Sequence, residues 1–105
     1  MEYNINLQQI ADELDFDLED VEMLIEVFLE SANETMAELK QAIDSNDLEQ
    51  VYQSSHAIKG SSANLTLMDI SNIAKEMEHE AKAGNNLDYQ GKFQELKQLI
   101  DNIQI

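Results

Sequence analysis

Val21-Glu22-Met23-Leu24-Ile25-Glu26-Val27-Phe28-Leu29-Glu30-Ser31-Ala32-Asn33-Glu34-Thr35-Met36-Ala37-Glu38-Leu39-Lys40-Gln41-Ala42-Ile43 is the stretch that decides the fold. Its apolar residues Val21, Leu24, Ile25, Phe28, Leu29, Ala32, Met36, Leu39 and Ile43 recur at the spacing of one long amphipathic helix. Asp17 is placed to cap that helix, and the acids that follow suit the positive end of its dipole. Nowhere does the chain alternate with period two for long enough to build a sheet.

The same period extends in both directions. Upstream, Leu7, Ile10, Ala11 and Leu14 mark a short helix with Asn6 as its cap. Downstream, Ser45-Asn46 reads as a turn and Asp47 as the cap of a third helix bearing Leu48, Val51, Tyr52, Ile58 and Leu65. Asp69 is placed to cap a fourth, with Ile70, Ile73, Ala74, Met77 and Ala81 inward. That helix ends at Ala83-Gly84-Asn85-Asn86, where glycine suits a left-handed helix end. Tyr89, Phe93, Leu96, Ile100 and Ile103 trace the last helix, whose one flaw is Gly91 near its start. Met23, Met36, Met68 and Met77 fall at or near stripe positions and read as core filling. Short connections favour antiparallel neighbours. The expected fold is therefore all-α: an antiparallel up-down four-helix bundle with a short extra N-terminal helix, one domain over 1–105.

Composition narrows the function. The 105 residues carry 22 acids against six lysines and no arginine, a net charge of −16. Residues 1–50 hold nearly all of the excess, with seven acids between Asp12 and Glu22. Such a chain repels phosphates, which argues against nucleic acid as a partner. Without cysteine there is no disulfide framework and no thiolate metal site. No run of about 18 apolar residues offers a membrane span, and Met1-Glu2-Tyr3-Asn4 lacks the basic start of a signal peptide. A cytoplasmic monomer is expected, and the Met1 start and compact length suggest a free-standing protein.

The third helix is the odd one. At about 100° per residue, His56 lies about 120° from the centre of the apolar stripe, on the flank of the helix. Lys59 follows about one turn on, and Gly60 stands one turn above His56. Glycine inside a helix costs about 1 kcal/mol relative to alanine, and a missing side chain lets another backbone approach. An imidazole with a cation and an open approach can attack phosphorus. An ordinary surface histidine and a helix-packing glycine fit the same pattern. His79, between Glu78 and Glu80, points away from its stripe and lacks a further ligand at zinc spacing. No metal or cofactor is expected on the chain itself. An acidic helical interaction or carrier module is the alternative. A carrier needs a serine at a helix start, and Asp44-Ser45-Asn46 lies at a helix end.

His56-Ala57-Ile58-Lys59-Gly60-Ser61-Ser62-Ala63-Asn64-Leu65 resembles the signature of histidine phosphotransfer (Hpt) domains, His-x-x-Lys-Gly-small-small. The Phe28-Leu29 pair before it, and Met77-Glu78 and Gly84 after it, extend the resemblance over about residues 15–103. The resemblance implies a phosphocarrier without catalytic activity of its own. Its histidine takes a phosphoryl group from a receiver-domain aspartate and hands it to another receiver. Partners would be response-regulator receivers or a hybrid sensor kinase, with Mg²⁺ supplied by the receiver. By position His56 would be phosphorylated, Lys59 would give electrostatic support and Gly60 docking clearance. Glu78 stands where a polar residue often orients the ring. The near-neutral surface of the third and fourth helices would dock the receiver, with apolar contacts at its centre. Two departures stand out. Thr66 occupies a place where the family often has glycine, which leaves Asn64 to close that helix. No arginine assists Lys59, only Lys82 nearby.

Overall fold

The long apolar stripe forms a single helix of 27 residues in a computed structural model that describes residues 7–103. The helices in chain order are α1 (Leu7–Leu14), α2 (Leu18–Asp44), α3 (Leu48–Asn64), α4 (Met68–Lys82) and α5 (Tyr89–Asp101). At about 1.5 Å per residue, α2 accounts for the molecule's 41 Å long axis, against 22 and 21 Å across. Neighbours pack α2 on α3, α3 on α4, α4 on α5 and α5 back on α2, which closes a four-helix ring. Among the described residues α1 meets only α2. Val21, Ile25, Leu39, Ile58, Ile70, Met77 and Leu96, drawn from all four long helices, are no more than 1% exposed and form the centre of the core.

The buried stripe of α2 is narrower than its sequence suggests. Ile25 and Phe28 face the core, whereas Leu24 falls to the flank and is 37% exposed. Met23, about 200° round from Ile25, is 63% exposed and fills no core space. Met68 is also exposed, because Leu67 immediately before α4 takes the buried place. Met36 and Met77 are core residues as expected.

The caps divide in the same way. Asp47 accepts a hydrogen bond from Gln50 N at 3.2 Å. Asp17 holds the N-cap position of α2 without a side-chain bond. α4 opens earlier than expected: Leu67 is its N-cap, and Asp69 lies in its first turn. The Asn6 cap lies outside the described residues. Gly91 is no flaw. Asp88 caps α5 by accepting from Gly91 N at 3.0 Å, and a Cβ at Gly91 would collide with that carboxylate.

Four helices end in one way. Phe16 N donates to Ala11 O, Asp47 N to Ala42 O, Leu67 N to Ser62 O and Asn85 N to Glu80 O, each at 2.9 Å. These are the six-to-one bonds of the Schellman motif, which needs a left-handed residue just before the donor. Asp15, Asn46, Thr66 and Gly84 supply it, with φ of 58°, 57°, 60° and 74°. Asn64 is the last helical residue of α3, so Thr66 closes that helix in its place. A β-branched side chain is strained in that conformation.

Candidate phosphotransfer site

Small residues bring α3 and α4 together, and their pairing is the most extensive in the bundle. Ser54, Ser55 and Ser62 on α3 and Ser71 on α4 are buried. Ser55 Oγ and Ser62 Oγ donate back to Val51 O and Ile58 O, each at 2.5 Å. Ser71 Oγ crosses between the helices to Lys59 O at 3.1 Å. The hydroxyls of Ser55, Ser62 and Ser71 are satisfied by backbone carbonyls, without a bulky partner, which permits close approach. This register sets Glu78 of α4 opposite His56 and Lys59 of α3.

Glu78 joins the site. Its Oε1 lies 2.5 Å from His56 Nδ1, and its Oε2 lies 2.6 Å from Lys59 Nζ. The His56 side chain is 60% exposed and that of Glu78 only 12%. Burial would raise the Glu78 carboxyl, but hydrogen bonds from Lys59 and His56, reinforced by their charges, outweigh it and hold it below the usual carboxylate range. An ionised carboxylate only accepts, so Nδ1 carries the hydrogen of this bond. In a neutral imidazole the lone pair then sits on Nε2. Lys59 therefore reaches the imidazole's neighbourhood through the carboxylate that the two share.

Tyr52, a stripe residue by its spacing, also touches the site. Its ring stacks on the His56 imidazole with centroids 6.0 Å apart and planes 26° apart. Lys82 Nζ lies 5.7 Å from the Tyr52 centroid, over the ring. The i, i+4 spacing of Tyr52 and His56 was the available signal. At Gly60 an added Cβ would meet nothing within 4 Å, so no helix packs against it. His79 is exposed. Among the described residues no cluster of three or more histidine, cysteine or acidic side chains could hold a metal ion. No helix there is long and apolar enough to cross a membrane.

A family model, the Hpt domain, matches residues 23–105. The chain belongs to this family. No curated protein and no solved structure matched it. Hpt domains are helical phosphocarriers of two-component signalling that interact with receiver domains and kinases. The carrier alternative loses its serine. Ser45 is the C-cap of α2, and its hydroxyl donates to Gln41 O at 2.8 Å.

Proposed function

We propose that this Hpt domain is a phosphorelay intermediate whose His56 Nε2 takes a phosphoryl group from a receiver aspartate and passes it to a second receiver. One observation carries the proposal: an exposed imidazole whose Nδ1 is engaged by Glu78, leaving Nε2 as the nucleophile. The Nε2 lone pair forms the N–P bond as the P–O bond to the aspartate breaks. The carboxylate departs with that electron pair, and the Nδ1 proton stays on the ring. The phosphorylated ring is then positive, and Glu78 lies against it. Lys59 balances the carboxylate from its other oxygen. Reversal of the same step on a second receiver discharges the ring. Mg²⁺ belongs to the receiver side of the interface.

The open space at Gly60 supports its role as the clearance through which the receiver reaches His56. A second surface is a candidate for the apolar part of the docking face, besides the α3 and α4 surface favoured by charge. Among the described residues, Met68 is the one exposed large apolar residue on α3 or α4, while Phe16, Leu18, Met23, Leu24 and Val27 lie at or before the first half of α2. Exposed apolar patches mark interaction surfaces, so the receiver footprint extends onto α2. Purified receiver phosphorylated with acetyl phosphate tests the central claim. Wild type is expected to acquire an acid-labile phosphoryl group and His56→Gln none, with the fold intact. Phosphoryl uptake by His56→Gln would refute it.

A further inference from the structure

We infer that Tyr52 is a positioning residue for the His56 imidazole, an inference that rests on the phosphoacceptor reading above. Glu78 grips the ring by its edge, through one atom, Nδ1. A single in-plane hydrogen bond leaves the ring free to rock about the contact. Tyr52 supplies the missing constraint, because it stands one turn before His56 on α3 and lies against the ring's face. The 6.0 Å separation and 26° tilt fall within the range of offset aromatic pairs. Edge and face together define the direction in which the Nε2 lone pair points.

Tyr52 is itself held. It is half-buried and packs against the core, and Lys82 covers its ring. Among the described residues Lys82 pairs with no carboxylate, so its attraction to the ring is not diverted. The ladder between α3 and α4 thus has a rung of Tyr52 and Lys82 next to the rung of His56 and Glu78. The Tyr52 ring carries the contact, since among the described residues its hydroxyl takes part in no hydrogen bond. In-line attack depends steeply on alignment, and the ordinary strength of an aromatic pair sets the scale of the loss at about tenfold.

The test uses the whole chain, a receiver phosphorylated with acetyl phosphate, and NMR of the His56 ring in the unphosphorylated protein. Tyr52→Phe is expected to transfer within about twofold of wild type. Tyr52→Leu is expected to lose about tenfold in transfer rate at saturating receiver, with receiver affinity unchanged. Its His56 ring-proton signals lose the ring-current shift and the single set of contacts to Tyr52's position. Lys82→Gln, a surface change that spares the fold, is expected to move the same signals in the same direction by a smaller amount. Unchanged His56 signals in both Tyr52→Leu and Lys82→Gln would overturn the inference, as would a wild-type transfer rate in Tyr52→Leu. His56→Gln separates the two ideas. If it takes up phosphoryl, the phosphoacceptor reading fails. If it stays blank while Tyr52→Leu matches wild type, only the positioning role fails.

Discussion

Glu78→Gln removes one charge from the site while keeping its shape. Glu78 accepts two charge-assisted hydrogen bonds, at 2.5 Å from His56 and 2.6 Å from Lys59. Buried bonds of that kind contribute about 1.5–3 kcal/mol each. His56 is largely exposed and Lys59 about one-third exposed, so solvent screening reduces the pair to about 1–2 kcal/mol in total. In a domain of this size that loss lowers the melting temperature by roughly 5–10 °C. The pH dependence has a definite sign. The Glu78 carboxyl is held below its usual range in the folded state. Its contribution is therefore fully present above the unfolded glutamate value and is lost as pH falls through the lower folded one. Through this carboxyl, the difference between wild type and variant should shrink as the pH falls below about 4. The larger effect is on chemistry. A glutamine amide can present either its oxygen or its NH₂ to Nδ1. The second arrangement moves the ring proton to Nε2 and removes the attacking lone pair. Phosphotransfer is expected to slow by about ten- to a hundredfold. Rapid-quench transfer from a phosphorylated receiver gives the rate, and long-range ¹H–¹⁵N spectra of His56 give the tautomer. A variant with wild-type rate and unchanged Nδ1–H tautomer would refute the orienting role of Glu78.

Thr66→Gly relieves a β-branched residue at φ 60°. Left-handed geometry costs an ordinary residue about 1–2 kcal/mol, and glycine returns part of that gain as unfolded-chain entropy. A net stabilisation of about 0.5–1 kcal/mol is expected in urea titration, and a loss would show that Thr66 makes a compensating contact. Gly60→Gln should keep the fold, since nothing lies near the new Cβ, yet slow phosphotransfer by on the order of a hundredfold through misplacement of the receiver. Unfolding of that variant, with normal transfer by its folded fraction, would make Gly60 a structural residue. Val27 is 64% exposed on α2, so Val27→Asp should leave the melting temperature within a few degrees and weaken receiver binding several-fold in titration calorimetry. Unchanged affinity would remove α2 from the footprint.

Helix number and type were legible because each helix buries a stripe, and a stripe is a one-dimensional pattern. Its width was less legible. Leu24 and Met23 are apolar and close in sequence to Ile25, but only the angular position relative to the partner helices decides which of them is covered. Helix ends were harder still. Gly84 announces its left-handed turn, whereas Thr66 adopts the same turn against its own preference because Leu67 and Ile70 must enter the core just beyond it. In Thr66 the tertiary demand outweighs the local one.

The site divides along the same line. His56, Lys59 and Gly60 lie within two helical turns of one another, so helical geometry alone places them together. Glu78 is 22 residues from His56, and its contact depends on the register of α4 against α3. That register follows from the buried serines: Ser55 and Ser62 narrow α3, and Ser71 ties α4 to the carbonyl of Lys59. A slip of α4 by one residue would turn Glu78 about 100° away from His56. Ser62, two residues after the glycine, therefore acts on the chemistry at a distance, by helping to fix which residue of the next helix reaches Nδ1. Ser62 to a larger side chain should for this reason disturb the His56 tautomer as well as stability, whereas a change at exposed Ala63 should disturb neither.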